Sequence, residues 1–324
     1  MQENHDFALL MQMREEYRRL MEGLDTAVRD DYIKSLSFSF THNTVAIEGN
    51  RSTVLDAEMI LRYSTLPNNM RLCDVLDIVA SSKAVELLYE LSEIKQPVTE
   101  SVICKFHRAA LYPARFAGIY RNFNVRVQNS ITSVADYTEI FSLMKRYAET
   151  LRENRFADPL EKAAYTHCEF VRIHPFPDGN GRTARLIMNL SLMNDGFPML
   201  DIRSGTSDIQ IYMDAIQSYC QGEGITAFRQ FLSKALTVQM ESFIRDYHNA
   251  SLNFDIRKLK GVLFVKIMTA DSNTELAVGR IEGARYNAPH DVWIVPVSER
   301  ERVEALRAVG VYADVADFLA HVHN

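Results

Sequence analysis

The residues best suited to chemistry lie between Ile173 and Arg185, where the chain reads Ile-His-Pro-Phe-Pro-Asp-Gly-Asn-Gly-Arg-Thr-Ala-Arg. Gly179 and Gly181, with Asn180 between them, allow left-handed backbone and close approach of the main chain. Successive N–H groups in such a loop can form a concave nest for an anion, and a helix that starts directly after it adds a favourable dipole. The segment therefore predicts a phosphate site.

Four side chains beside this nest suit a nucleotide. Arg182 and Arg185 are three residues apart, so they share one helical face and can bind consecutive phosphates. Asp178 offers a hard oxygen ligand of the kind that Mg²⁺ prefers. His174 is a base that titrates close to neutral pH. Each feature alone is more often structural, but their combination in one short segment predicts a Mg²⁺-dependent nucleotide site in which His174 takes a proton from an attacking hydroxyl.

Helices must position these residues. Apolar residues recur at helical spacing through much of residues 1–250, and glycine is scarce, with 13 in 324 residues. This pattern predicts one helix ending near Arg172 and another from Arg182 to about Asn194, with the glycine-rich loop between them. Further helices are predicted as two before the Gly49-Asn50 breaker, one from Thr53 to about Tyr63, and others near 71–93, 99–111, 136–153 and 159–172.

Two stretches depart from helical spacing. Apolar residues alternate between Pro113 and Thr132, which predicts a β-hairpin inserted into the helical body. After about residue 250, short β-rich runs and helical patterns predict a separate α+β domain. The strands are predicted at 261–268, 276–281 and 292–297, and the helices at 299–309 and 313–322.

The segment from His174 to Arg185 resembles, at every defining position, the HxFx[D/E]GNGRxxR signature of Fic-domain proteins. The resemblance implies a mainly α fold, a Fic-type helical bundle with a β-hairpin flap. It also implies transfer of AMP from ATP to a Ser, Thr or Tyr hydroxyl of a target protein, or of the chain itself, with release of pyrophosphate.

The same resemblance assigns roles to individual residues. His174 would be the general base and Asp178 the Mg²⁺ ligand. Gly179, Asn180 and Gly181 would form the anion nest. Arg182 would hold phosphate oxygens of the nucleotide, and Arg185 the γ-phosphate.

A flap before the signature is a family feature that lines up the target backbone as an added strand. Gly118-Ile-Tyr-Arg121 matches the usual opening of that region, so Gly118, Tyr120, Arg121 and the following Val125 are expected to dock the target. An ordinary solvent-facing hairpin is the alternative.

Other aromatic and imidazole groups lie outside the signature. Tyr212 resembles a family position that contacts adenine, although an aromatic residue on an amphipathic helix is more often a core residue. His167, His107 and His42 lack partners at metal-ligand spacing and are interpreted as structural.

A second motif lies far upstream. Thr44-Val-Ala-Ile-Glu48-Gly49 resembles the [S/T]xxxE[G/N] inhibitory motif of Fic proteins that carry an amino-terminal inhibitory helix. Thr44 and Glu48 share a helical face, and Gly49 suits the end of that helix, predicted at about 41–50. In the family this glutamate pairs with the second signature arginine, here Arg185, so that ATP binds only in an unproductive pose. The alternative is a solvent-exposed glutamate at a helix end.

The predicted organisation is an amino-terminal helical region at 1–98, a catalytic core at 99–250 and the α+β domain at 251–324, whose role the sequence does not indicate. The net charge of −6 is too small to indicate a membrane surface or nucleic acid as the main partner. The four cysteines lack CxxC spacing, and neither a signal peptide nor a spanning segment is evident, so a cytoplasmic protein is expected.

Several functions stay open at this point. The leading hypothesis is a normally self-inhibited adenylyltransferase that uses ATP and Mg²⁺. The alternatives are removal of AMP from a target, transfer of a different phosphoryl group, and a regulatory module that binds nucleotide without modifying anything. A homodimer is compatible with the family resemblance, and the sequence does not identify the target protein.

Overall fold

The computed structural model describes residues 2–68, 70–126, 134–254, 262–267, 277–278, 281, 284–287, 292–306 and 309–312. The chain divides into two compact units, Met1–Ser242 and Phe243–Asn324. The predicted fold class, mainly α with a small carboxy-terminal α+β part, is confirmed. None of the helices among the described residues has the length and apolar character needed to cross a bilayer.

The first unit is helical. Its helices are α1 (Gln2–Gly23), α2 (Thr26–Ile47), α3 (Val54–Tyr63), α4 (Leu72–Glu93), α5 (Glu100–Ala110), α6 (Ile140–Glu153), α7 (Pro159–Ile173), α8 (Asn180–Asn194), α9 (Asp208–Cys220) and α10 (Thr226–Phe254), the last of which continues into the second unit. A single 3₁₀ turn, Tyr137–Glu139, leads into α6.

Helix α8 lies at the centre of the first unit. It packs against α7, α4, α5 and α2, and its residues are buried from Asn180 almost to its end. Apolar side chains from all these helices form one continuous core around it, including Phe40, Phe106, Phe170 and Ile187. The two arginines at the start of α8 are therefore held inside the molecule.

The end of α2 has the capping geometry that the sequence indicates. Gly49 has a φ of +92°, and its N–H donates to Ala46 O at 3.0 Å. The N–H of Asn50 donates to Val45 O at 3.1 Å. This pair of bonds is a Schellman motif, in which a left-handed glycine satisfies the last carbonyls of a helix. Glu48 is consequently the C-cap residue of α2.

The start of α3 carries a capping box formed by Thr53 and Asp56. The Thr53 hydroxyl accepts from Asp56 N at 3.1 Å, and the Asp56 carboxylate accepts from Thr53 N at 2.8 Å. These reciprocal bonds satisfy two N–H groups that a helix start otherwise leaves open.

The segment predicted as a hairpin differs from that expectation in its described part. Residues 113–126 form turns and irregular backbone without a strand, and residues 127–133 lie outside the described residues. The reason is visible at Arg121, whose N–H donates to Pro175 O at 2.9 Å. The backbone here pairs with the signature loop instead of with a neighbouring strand.

The second unit contains a four-stranded antiparallel sheet of order β2-β3-β1-β4. Its strands are β1 (Val262–Ile267), β2 (Arg285–Asn287), β3 (Val292–Pro296) and β4 (Val309–Tyr312). Phe264 of β1 lies opposite Ile294 of β3 on one side and Tyr312 of β4 on the other. Leu263, Val265 and Val295 pack into a small core with Val303 of the helix α11 (Arg300–Glu304).

Some predicted elements of this unit are wrong. Residues 277–278, placed in a strand at 276–281, are helical. The helix predicted at 299–309 ends at Glu304, and Val309–Tyr312 instead pair with β1, where their β-branched and aromatic side chains suit a strand. The helix predicted at 313–322 lies outside the described residues.

Candidate active site

The signature loop joins two helix ends. Helix α7 ends at Ile173, and His174 caps it in the left-handed conformation, with φ of +54° and its N–H donating to Phe170 O at 2.9 Å. Gly179, with φ of +73°, then begins α8. The Asn180 side chain closes the loop because its Oδ1 accepts from Phe176 N at 3.0 Å and its Nδ2 donates to Phe176 O at 2.9 Å.

His107, a buried residue of α5, supports the signature loop through hydrogen bonds. Its Nδ1 accepts from Gly118 N at 2.7 Å, so its Nε2 carries the proton and donates to Asp178 O at 2.8 Å. Its ring stacks on the buried Phe176 at 3.6 Å between centroids, and burial lowers the pKa of His107 to about 4. His107 is thus structural, as predicted, and its neutral form fixes the loop that carries Asp178.

His174 has the tautomer that a general base needs. Its Nδ1 lies 3.3 Å from Val171 O. A carbonyl oxygen can only accept, so Nδ1 carries the proton and Nε2 keeps its lone pair when the ring is neutral. Burial lowers the pKa of His174, so the neutral form dominates at pH 7. The imidazole is therefore ready to accept a proton through Nε2.

Three of the residues expected to dock a target also support this loop. Arg121 is buried, and its guanidinium donates to His174 O at 2.8 Å and to Ala135 O at 2.6 Å. The Tyr120 hydroxyl donates to Glu100 at 3.1 Å. The N–H of Gly118 binds His107. The docking role of these residues stays a prediction, as does that of Val125, which is half-buried.

Arg185 forms most of its hydrogen bonds with the end of α2. Its Nε donates to Thr44 Oγ1 at 2.8 Å, and its Nη2 donates to Thr44 O at 2.9 Å and to Glu48 Oε1 at 2.7 Å. Its Nη1 lies 3.4 Å from the Tyr212 hydroxyl. The pairing of Glu48 with Arg185 expected from the inhibitory motif is present, and Thr44 joins it because the two residues are one helical turn apart.

Gly179 and Gly181 of the signature are glycines for different structural reasons. Gly179 has the expected positive φ, and a side chain there would collide with Leu111. Gly181 is an ordinary helical residue of α8, so the positive φ anticipated for it is wrong. A Cβ at Gly181 would instead collide with the carboxylate of Glu48. The second glycine therefore makes room for the group that occupies Arg185.

Arg182 binds a carboxylate that the sequence analysis missed. Its Nη1 donates to Asp77 Oδ1 on α4 at 2.8 Å and lies 3.4 Å from Ala110 O. Asp77 and Arg182 are 105 residues apart in the chain, so no spacing pattern connects them. The two arginines expected to act together on phosphates are thus each held by a different carboxylate from the amino-terminal helices.

Asp178 has an exposed carboxylate, which is a suitable ligand for magnesium. Its Oδ1 accepts from Gly179 N at 2.6 Å, its Oδ2 lies 4.0 Å from Arg182 Nη2, and the side chain is 64% exposed. The described residues contain no cluster of three or more His, Cys, Asp or Glu side chains able to hold a metal. A single exposed carboxylate fits Mg²⁺, which is often held by one or two carboxylates together with substrate phosphates.

The anion nest has fewer available N–H groups than expected. The N–H of Gly179 is bound by Asp178, while the first hydrogen bond of α8 runs from Thr183 N to Gly179 O. The N–H groups of Asn180 and Gly181 therefore lie in the first turn of α8, where a helix has no carbonyl of its own for them. They are the groups best placed for an anion.

Tyr212 lies behind Arg185 in the core. It is 1% exposed, and its hydroxyl lies 2.8 Å from His167 Nε2. His167 stacks on Phe228, and burial lowers its pKa well below the usual value, which confirms the structural interpretation of this histidine. The contact of Tyr212 with adenine stays a prediction.

The comparisons with known proteins point to the same class. Residues 97–192 match the model of the Fic/DOC family. The chain is 28% identical over 217 residues to Protein adenylyltransferase Fic of Nematostella vectensis, which is 65% of this chain and 50% of that protein. It is 30% identical over 192 residues to Protein adenylyltransferase fic-1 of Caenorhabditis elegans, which is 57% of this chain and 37% of that protein.

Solved structures show the same fold. A Fic-domain protein of Bacteroides thetaiotaomicron aligns with a TM-score of 0.65 at 23% identity, over 74% of this chain and 97% of that one. Fic-1 of C. elegans aligns with a TM-score of 0.64 at 25% identity, over 76% of this chain and 71% of that one.

Residues 97–192 of the chain therefore carry a Fic domain, and over its matched length the chain is similar to proteins called protein adenylyltransferase. It spans half or less of the length of the curated relatives named above.

Proposed function

We propose that this chain is a self-inhibited protein adenylyltransferase that transfers AMP from ATP to a hydroxyl of a target protein or of itself. The observation that carries the proposal is the contact of Glu48 with Arg185, at 2.7 Å, beside a signature loop whose His174 has its lone pair on Nε2. The relatives named above, each called a protein adenylyltransferase, support the same reaction.

In the proposed reaction, Nε2 of His174 takes the proton of the target hydroxyl. The hydroxyl oxygen attacks the α-phosphorus of ATP, the bond from that phosphorus to the α–β bridging oxygen breaks, and pyrophosphate leaves. Arg182 and the first N–H groups of α8 would hold phosphate oxygens. Asp178 would hold Mg²⁺, which when bound neutralises phosphate charge.

Inhibition would follow from competition for one guanidinium. An arginine binds a carboxylate and a phosphate through the same donors, so Glu48 and the γ-phosphate cannot both occupy Arg185. Arg185 is 2% exposed, and a buried pair of this kind is strongly favoured over a single unpaired charge. ATP would then bind without the alignment that attack on the α-phosphorus requires.

The decisive experiment measures AMP transfer from labelled ATP with Mg²⁺, by self-modification and in lysate. We expect Glu48→Gly to raise the rate at least about tenfold, which corresponds to roughly 1.4 kcal/mol of recovered alignment. Glu93→Gly is a matched control because Glu93 is an exposed glutamate at the end of α4. Adding His174→Ala to Glu48→Gly should abolish transfer.

Two results would contradict the proposal. If Glu48→Gly and the unaltered chain transfer AMP equally, Glu48 does not inhibit. If the Glu48→Gly protein binds ATP and modifies neither itself nor any lysate protein, the chain acts as a nucleotide-binding module. A phosphate-sized mass shift on the product would instead indicate a different phosphoryl transfer.

Removal of AMP is a second candidate, favoured by one detail of Glu48. Its side chain is 34% exposed and contacts Arg185 through Oε1, so part of the carboxylate is accessible to water. Incubation with an AMP-modified target separates the two reactions. Loss of AMP with the unaltered chain, abolished by Glu48→Gly, would establish this activity.

A further inference from the structure

The two arginines of the candidate site are held in different ways. All three nitrogens of Arg185 have partners, supplied by Thr44, Glu48 and Tyr212. Arg182 contacts Asp77 through Nη1 alone. Where several residues together occupy every nitrogen, no donor remains for a phosphate, whereas partners on a single amino group leave the other nitrogens available.

Asp77 and Ala110 together account for Nη1 of Arg182. This nitrogen has two N–H groups, and the oxygens of Asp77 and Ala110 lie at 2.8 and 3.4 Å from it. Nη2 is then directed to the other side, where Asp178 Oδ2 lies 4.0 Å away. The guanidinium is planar, so fixing one amino group fixes the direction of the other.

Arg182 also has a donor in the structure without a partner. Its Nε is buried and makes no hydrogen bond, although the side chain is only 6% exposed. Buried donors are rarely left unpaired. Nε, which lacks a partner, and Nη2 lie on one edge of the guanidinium, and this edge matches two oxygens of a phosphate.

We propose that Asp77 is a positioning residue for the nucleotide: it holds Nη1 of Arg182 so that the Nε–Nη2 edge faces the phosphates. This inference rests on the proposed function. Asp77 therefore supports ATP binding, in contrast to Glu48, which opposes productive binding. Asp77 lies on α4, before the Fic/DOC match at 97–192, so the amino-terminal helices supply both a support and an inhibitor.

The charge balance favours support over inhibition. Arg182 is a buried cation, and a buried charge needs a partner before the nucleotide arrives. Asp77 supplies it from a half-exposed position, with 39% of its side chain accessible. A phosphate can add to the free edge without displacing Asp77, so both contacts persist in the complex.

The test measures nucleotide binding and turnover in the Glu48→Gly background, with Asp77→Ala, Asp77→Glu and the matched control Glu86→Gln, an exposed carboxylate on the same helix. We expect Asp77→Ala to raise Kd and KM for ATP about tenfold while kcat changes less, since one oriented charge-assisted contact is lost. Asp77→Glu should restore part of the affinity, and Glu86→Gln should change nothing.

Binding of adenosine separates positioning from general damage. Adenosine has no phosphates, so its affinity should be the same with and without Asp77→Ala, whereas a loosened fold would weaken both ligands. An unchanged Kd for ATP, or a rise in AMP transfer like that of Glu48→Gly, would overturn the proposal. Because ATP and adenosine binding are measured directly, a failure of AMP transfer itself would leave this test valid.

Discussion

His174 links local backbone geometry to a reaction. The left-handed cap at the end of α7 turns the chain into the signature loop, and the Nδ1–H bond to Val171 O leaves the lone pair on Nε2. Arg121 holds the carbonyl of the same residue at 2.8 Å. Base, loop and support are therefore fixed before any substrate binds, as efficient proton transfer requires.

The lowered pKa of His174 predicts the acid limb of the pH profile. Burial disfavours the charged imidazolium, so the ring stays neutral below its ordinary value of 6.5. We expect the midpoint of the acid limb of kcat/KM for the Glu48→Gly protein to lie below pH 6.5. A midpoint at or above pH 6.5 would contradict this environment for His174.

Single residues also show what the sequence could and could not reveal. Glu48 and Arg185 each lie in a recognisable sequence motif, and their pairing was expected from the family resemblance. Asp77 lies in no such motif. Its contact with Arg182 depends on the packing of α4 against α8 and not on sequence spacing. The steric reason for a glycine at position 181 was not predictable either, since the carboxylate that it accommodates comes from a distant helix.

Besides the contact with Arg185, a second group of side-chain hydrogen bonds holds helix α2 in place. Ser39 donates to Asp201 Oδ2 at 2.5 Å, and Asn43 Nδ2 donates to the same carboxylate at 3.0 Å. Asn43 Oδ1 accepts from Ser204 N at 3.1 Å. These bonds hold the turn that precedes Thr44 and Glu48.

Removing this second attachment should loosen the inhibitory contact. Hydrogen bonds to a charged group contribute about 1.5–3 kcal/mol, so Asp201→Ala should lower the melting temperature by several degrees and raise self-modification, although less than Glu48→Gly does. Asp208→Ala, an exposed change at the start of α9, is the control. Lower stability with unchanged transfer would show that Glu48 holds Arg185 without help from Asp201.

Elements with strong local signals were predictable. The capping box at Thr53 and the glycine after α2 mark helix ends through hydrogen bonds that involve only neighbouring residues. The segment at 113–126 was not, because its backbone bonds to Pro175 of the signature loop, while Ile119 and Phe123 of its alternating set are exposed. The strand β4 was missed because its pairing with β1 depends on residues more than forty positions away.

The division of the chain into two compact units predicts which part is needed for chemistry. Every residue placed in the candidate site lies within Met1–Ser242. A Glu48→Gly chain cut after Phe254, the last residue of α10, should therefore keep its rate of self-modification within about threefold, since compact domains commonly fold alone. A folded but inactive fragment would show that the second unit contributes to the reaction.

The C-cap position of Glu48 has an energetic consequence for how the enzyme could be switched on. A helix carries partial negative charge at its carboxyl end, so an anionic side chain there is repelled by the carbonyls of its own last turn. Arg185 offsets that repulsion only while it remains bound. A ligand that draws the guanidinium away leaves this repulsion, of about 0.3–1 kcal/mol, uncompensated, which favours renewed pairing of Glu48 with Arg185 when the ligand leaves.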